Sequence, residues 1–505
     1  MNNVIRVRVQ EELSVINPNI HGHFIEHIGS CIYDGIWVGP DSAIPNMDGL
    51  RLDVVEALKQ INPPVIRWPG GCFADQYHWR DGIGPRGERA SQVTSRWGPD
   101  EVERNEFGTH EFMRFCQLLG AQPWLGGNVA TSTPKELRDW AEYCNFPDGT
   151  TLSKERIANG ASEPFDVLYW GIGNESWDCG GKFMPDTYAD AYRHFESNFP
   201  NFYGKPSYLI ACGPDGNKLE ERKEWTSAFF GQLAKWRKPR LHGYDAHFYT
   251  WNSSAHAGTP TEFTVDEWYR LIAESMKVEE MILETRAMMD EYDPERNIDI
   301  IVGEWGTWHK GRREDPLLWQ QNSMRDAIIA AVNLEIFHEH SDIVKMANLA
   351  QTVNILHSLI LTKEEKMILT PTYYVFKLYQ GHKGGRRVGL ELSSPVVTFA
   401  NGTTKDSLPA LKGTASVKDG VLTLSVVNLH ASDAIDAVIE LPGETAGEWS
   451  AEQLSHERLN SHNTFEQPDT VVPKKVEAGF IHEGKLHFVF PAASVTVFTA
   501  TLATV

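Results

Sequence analysis

Eight short apolar, β-favouring segments alternate with amphipathic helical runs over roughly 360 residues, and this rhythm limits the chain to a few architectures. The segments are Ile20–Ile28, Val65–Trp68, Gln122–Val129, Val167–Asn174, Tyr208–Cys212, Gly243–Tyr249, Ile298–Gly303 and Ile343–Ala350. Between them, Leu52–Ile61 carries Val55, Leu58 and Ile61 at helical spacing and stops at Asn62-Pro63. Phe107–Leu119 puts Phe112, Phe115, Cys116 and Leu119 on one face, with Gly120 as its stop. Thr133-Pro134-Lys135-Glu136 is a capping box with proline at the first helical position, opening a helix through Cys144. Asp186 is read as the cap of the next helix, and further helical runs fill 265–292, about 317–340 and Pro371 to about Gly381. Strand and helix repeated eight times predict a (β/α)8 TIM barrel. A doubly wound open sheet would alternate too, but no GxGxxG follows a strand to suggest a nucleotide site.

After Gly381 the helical spacing disappears. Leu422, Leu424 and Val426 alternate, as do Ile435, Ala437, Ile439 and Leu441; Leu486–Phe490 and Val495–Leu502 follow. Short alternating strands between turn residues predict an all-β sandwich, jelly-roll-like. Ile5, Val7 and Val9 alternate with Arg6 and Arg8, so the N-terminal strand is expected to join that sandwich. The expected division is a barrel over 18–380 and a sandwich from 1–17 plus 381–505.

Chemistry in a barrel of parallel strands sits at the strands' C-terminal ends. Two of the strands run straight into glutamates: Tyr169-Trp-Gly-Ile-Gly-Asn174-Glu175 and Ile300-Ile-Val-Gly303-Glu304-Trp305. A carboxylate pair flanked by aromatics suggests glycoside hydrolysis, one group protonating the leaving oxygen and the other meeting the oxocarbenium-like centre. A surface ion pair is the plainer reading of each glutamate alone. The long loops 29–50, 69–106 and 250–264 carry Trp37, Trp79, Trp97 and Trp251, whose faces could stack on sugar rings.

Other groups were weighed beside the glutamates. His21, His23 and His27 surround Glu26 on the first strand, and an HxH there is what metal-dependent amidohydrolases use. The eighth strand ends in Gln351-Thr-Val-Asn354 without the aspartate such a site needs, so no metal and no cofactor are expected, and His21 and His23 are read as hydrogen-bonded in the barrel mouth. Arg67, before Pro69-Gly-Gly-Cys72, could orient a carboxylate. Cys72 lacks the surrounding pattern of a cysteine nucleophile. The formal charge of −21 argues against nucleic acid or an anionic membrane surface as partner. Six scattered cysteines without a CxxC pair predict free thiols. The N-terminus lacks the apolar core of a signal peptide, and no run could span a membrane, so a cytoplasmic enzyme is expected.

Taken together, GHFIEHIG, CIYDGIWVG, RWPGGCFADQYHWRDGIGP, FGTHEFMRFC, YWGIGNESWDCGG, GEWGTW and MANLAQTVN resemble glycoside hydrolase family 51, the α-L-arabinofuranosidases. These stretches run in order from residue 21 to about 375. The resemblance implies a barrel with a sandwich that includes the N-terminal strand. It implies Glu175 as general acid/base and Glu304 as nucleophile of a retaining, exo-acting enzyme on arabinoxylan- or arabinan-derived oligosaccharides. Glu26, Asn174 and Gln351 match the family's hydroxyl-binding residues, and Tyr249, in His247-Phe248-Tyr249, matches the residue that hydrogen-bonds the nucleophile. Trp97 and Trp308 match subsite walls. Cys72 stands where many relatives carry asparagine, so its sugar contact departs from the commoner pattern. The resemblance also implies a homo-oligomer, commonly a hexamer. Another barrel glycosidase specificity, such as a β-glucanase or β-xylosidase, and a non-catalytic sugar binder were the other readings.

Overall fold

The computed structural model describes residues 3–94, 102–202, 204–252, 258–311, 316–444 and 446–502. Eight parallel strands close into a barrel: β1 (Gly22–Phe24), β2 (Val65–Trp68), β3 (Gln122–Gly127), β4 (Tyr169–Ile172), β5 (Tyr208–Asp215), β6 (Gly243–Asn252), β7 (Asp299–His309) and β8 (Val344–Ala350). All eight expected segments contain or overlap one of these strands. The first is shorter than expected, because Asn17 caps a 3-10 turn over Pro18–His21 that uses up its start. Val65, Trp124, Ile210, Ile301 and Met346, from five strands, pack against one another as a separate apolar cluster. They fill the barrel's interior below the strand ends, so only that end is left for polar groups.

The helices follow their stop signals. Leu52–Ile61 ends at Asn62, which takes a left-handed conformation, and Thr133 accepts from the Glu136 amide to open Pro134–Asn145. The helix expected to be capped by Asp186 instead starts two residues earlier, at Pro185 with Met184 as its cap, leaving Asp186 within the first turn. Two helices, Thr151–Ala158 and Leu219–Ala234, were not expected; the second spreads charge around its surface rather than along one face.

The N-terminal strand Asn3–Val15 lies between Arg386–Leu392, antiparallel, and Ile435–Glu440, parallel, inside a ten-stranded sheet built otherwise from the last 120 or so residues. Phe488 and Phe490 touch the ring of Phe498, six strands away in hydrogen-bonding order, so the sheet folds back on itself with its apolar side chains inside. Helix Met324–Glu339 runs between barrel and sheet and is buried from Met324 to His338, as its nearly continuous apolar sequence requires. No helix among the described residues is long and apolar enough to cross a membrane.

Candidate active site

Glu175 follows β4 and Glu304 lies within β7, and closure of the barrel turns both side chains toward its mouth. Oxygens of the two carboxylates lie within 4.8 Å of each other and of a nitrogen of His247. Glu175 has a φ of +37°, in the left-handed region that costs a non-glycine residue about 1 kcal/mol or more. The turn after it holds this conformation: the amides of Asp178 and Gly180 both donate to its carbonyl, at 2.8 and 3.0 Å. Burial raises the pKa of Glu175, His247 opposes this by hydrogen bonding, and the charge of Glu304 adds to the rise.

Glu304 is held at both oxygens. Arg67 Nη1 donates to Oε1 at 2.8 Å and the Tyr249 hydroxyl to Oε2 at 2.6 Å. Arg67 is itself buried, its guanidinium 4.9 Å from the rings of both Phe24 and Trp124, and its Nη2 donates to Asn174 Oδ1 at 2.5 Å. One cation therefore fixes the carboxylate of Glu304 and the amide orientation of Asn174.

Glu26, just past β1, accepts from the Phe73 amide at 3.0 Å and from Gln351 Nε2 at 2.9 Å. Burial, with the charge of Glu304, pushes its pKa up to about 8. Gly71 lies against both carboxylates: a Cβ there would stand 3.1 Å from Glu26 Oε2 and 3.1 Å from Glu304 Oε1, so only glycine leaves the space open.

His247 Nδ1 lies 3.0 Å from Glu175 Oε1 and 3.6 Å from Glu304 Oε1, while Nε2 lies 3.1 Å from Asp245 Oδ2. Burial alone would lower the pKa of His247, but Glu304, Asp245 and Glu175 together bring it to about 10. An aromatic row leads outward from the Glu304 side. Tyr249 meets Trp308 edge-on at 5.1 Å, and Trp308 stacks on Trp251 at 4.5 Å, with Trp251 42% exposed.

The structure thus gathers Glu26, Arg67, Asn174, Glu175, His247, Tyr249, Glu304, Trp308 and Gln351 at one end of the barrel. Trp97 lies outside the described residues. Cys72 is also here, but not as a free thiol: it is bonded to Cys179, with Cα atoms 5.5 Å apart. The loops after β2 and β4 bring together two cysteines 107 residues apart, which spacing along the chain could not reveal. Both sulfurs lie against Glu175 Oε2, at 3.7 Å for Cys72 and 3.4 Å for Cys179. The other four cysteines are free and buried. Trp37 and Trp79 are core residues rather than sugar platforms.

His21 and His23 are not in the mouth. His23 lies between Gly22 and Phe24 of β1 and faces away from the barrel interior, while His21 ends the 3-10 turn before that strand. His21 Nε2 is 2.9 Å from His338 Nε2, and the His23 ring packs on Phe376. Two carboxylates escaped the sequence reading. Asp75 accepts the amides of Val129 and Ala130 through Oδ1 (2.6 and 3.0 Å) and that of Asn174 through Oδ2 (2.9 Å), tying three loops together, with its pKa raised by burial to about 7. Asp245 accepts from the Gly303 amide at 2.6 Å, where a Cβ on Gly303 would stand 2.2 Å from the carboxylate. An aspartate two residues before a histidine, in an otherwise apolar barrel strand, was the available signal for it.

Comparison with known proteins gives one answer. Family models described as the alpha-L-arabinofuranosidase 1 domain and the alpha-L-arabinofuranosidase C-terminal domain match residues 57–270 and 303–494. The division between them falls inside the barrel, with Glu175 in one match and Glu304 in the other. An intracellular exo-alpha-L-arabinofuranosidase of Bacteroides ovatus is 39% identical over 500 residues, 97% of this chain and 94% of its own. A probable alpha-L-arabinofuranosidase C of Aspergillus niger is 30% identical, covering 99% of this chain and 97% of its own. The crystal structure of the GH51 arabinofuranosidase from Xanthomonas axonopodis pv. citri superposes with a TM-score of 0.92 at 36% identity, over 99% of this chain and 100% of that one. That of a Thermotoga maritima alpha-L-arabinofuranosidase in complex with arabinose gives 0.85 at 30% identity, with the same coverage. With such similarity over nearly its whole length, the chain belongs to glycoside hydrolase family 51, the α-L-arabinofuranosidases.

Proposed function

We propose that this α-L-arabinofuranosidase removes terminal arabinofuranose from arabinoxylan- or arabinan-derived oligosaccharides by double displacement, with Glu304 as nucleophile and Glu175 as acid and then base. The observation that carries the reading is the separation of the two carboxylates. Oxygens within 4.8 Å accord with the short separation of a retaining pair, about 5–5.5 Å, rather than the wider one of an inverting pair. Arg67 and Tyr249 each donate to one oxygen of Glu304, while burial favours the protonated form of Glu175, so their environments suit opposite roles.

In the first half, Glu304 attacks the anomeric carbon as Glu175 protonates the departing oxygen, giving a glycosyl ester and the shortened oligosaccharide. Esterification removes the negative charge of Glu304, so Glu175, now a carboxylate, takes a proton from water. The water oxygen attacks the anomeric carbon, the ester bond breaks, and Glu304 leaves as a carboxylate with net retention. Glu26, Asn174 and Gln351 hold ring hydroxyls, and Trp308 covers a sugar face. The name of the Bacteroides relative supports exo action and the expected cytoplasmic location.

The test is turnover of an aryl α-L-arabinofuranoside with added azide. Glu304→Ala should lose about a thousandfold or more in kcat. Glu175→Ala should be revived by azide, yielding the α-arabinosyl azide, because azide takes the place of water on the ester of Glu304 and inverts the anomeric carbon a second time. Wild-type activity in both variants would remove the carboxylate pair from the mechanism.

A further inference from the structure

His247 sits between the two glutamates, and behind it lies a third carboxylate to which the double displacement assigns no part. Asp245 accepts from the imidazole at Nε2 and, with its other oxygen, from the amide of Gly303, next to Glu304. It is thereby fixed to the strand that carries Glu304 as well as to His247. A buried carboxylate held this way makes Nε2 a donor. Nδ1 then faces Glu175 Oε1 at 3.0 Å with Glu304 Oε1 at 3.6 Å.

We propose that Asp245 is a positioning residue for acid catalysis: it keeps both ring nitrogens of His247 protonated, so that Glu175 Oε1 always accepts a hydrogen bond and the acidic proton is confined to Oε2. The inference rests on the reading of Glu175 as the acid. A carboxyl group with its proton on Oε1 would donate to the ring instead, pointing the proton away from any leaving oxygen at Oε2. Neutral His247 permits that arrangement, through an unprotonated Nδ1, and the doubly protonated ring does not. The charged groups around the imidazole favour the cation. Glu304 from β7 and Asp245 from β6 itself carry the negative charge, against Arg67 from β2, which is bonded to Glu304; Glu175, from the end of β4, is neutral while it holds the acidic proton, and Asp215 at the end of β5 adds negative charge near it. The pKa of about 10 agrees with this arrangement.

Two measurements on the intact enzyme test the proposal. The first is the ¹⁵N spectrum of the His247 ring. In the wild type both nitrogens should be of the protonated type through pH 8, and in Asp245→Asn one should become unprotonated at neutral pH. A wild-type ring with one bare nitrogen at pH 7 overturns the proposal. The second is kcat/KM, which reports the first half-reaction, on methyl and 4-nitrophenyl α-L-arabinofuranosides. The methyl glycoside needs its leaving oxygen protonated and the nitrophenyl glycoside scarcely does. Asp245→Asn should lose about tenfold or more beyond its nitrophenyl loss on the methyl substrate, a part of the 10²–10⁴ that acid catalysis supplies. Equal losses on the two substrates mean a merely structural role and overturn it. Glu175→Ala is the reference. If it discriminates between the substrates and Asp245→Asn does not, the proposal alone fails; if Glu175→Ala does not discriminate, the acid assignment fails and takes the proposal with it.

Discussion

Glu26, proposed to hold a ring hydroxyl, works against stability. Its carboxyl, pushed up to about 8 by burial and by Glu304, is protonated at neutral pH in the folded, substrate-free protein and ionised in the unfolded chain. Between the unfolded value near 4.5 and about 8 the folded state therefore binds more protons, and stability falls as pH rises through that window. The protonated form also has a waiting partner. Gln351 Oε1 is buried without a hydrogen bond, and a flip of that amide would let it accept from Glu26. Glu26→Gln imitates the neutral form, with its own amide donating to Gln351. We expect it to raise the thermal midpoint at pH 8, by an amount that shrinks toward pH 4.5, while weakening arabinoside binding. Melting curves of both proteins across that range decide the matter: a midpoint gain independent of pH, or none at pH 8, would show that Glu26 is ionised in the fold.

At the level of elements, the barrel was legible because each strand and each helix repeats a local rule. Apolar runs of four to nine residues alternate with helices whose starts and stops are written as Thr133-Pro134, Asn62 and Gly120. The two glutamates were legible because each closes such a run. Asp75 and the partner of Cys72 were not, because their meaning lies in contacts between the loops after β2, β3 and β4, and loop closure leaves no period in the sequence. The Cys72–Cys179 bond is the covalent form of that closure. It joins points 107 residues apart, and a cross-link over that length stabilises mainly by restricting the unfolded chain, typically by about 2–4 kcal/mol. Cys179→Ser should therefore lower the denaturant midpoint by that free energy with the fold intact. Because both sulfurs touch Glu175, it should also disturb kcat/KM. An unchanged midpoint, with Cys72 open to alkylation in the wild type, would mean that the two loops close without the bond.

At the scale of the whole molecule, the contact between barrel and sheet is unusually rich in buried imidazole. His21 of the barrel meets His338 on the helix between the two layers; His338 lies 5.0 Å from the ring of His382, and His382 bonds Ser416 and Ser425 of the sheet. Burial holds all of them neutral: His23 and His382 are lowered to about 3, and His21 and His338 well below their ordinary value, with neighbouring imidazoles adding to the effect on His21 and His338. Glu335, on the same helix as His338, offers no compensating charge in acid, since burial raises it to about 7 and it accepts from the Tyr379 hydroxyl at 2.5 Å. The sign of the linkage follows. Above about pH 6.5 neither state protonates these rings. From 6.5 down to about 3 the unfolded chain takes up protons that the folded one refuses, and stability falls with falling pH. Since the rings form one chain across the contact, the loss belongs to barrel and sheet together. Hydrogen exchange read by mass spectrometry during acidification should show peptides from β1 and β8 and from Val421–Asn428 losing protection in the same pH interval, below 6.5. Sheet peptides that stay protected after the barrel has opened would show instead that the sheet is stable by itself and that the imidazole chain does not couple the two layers.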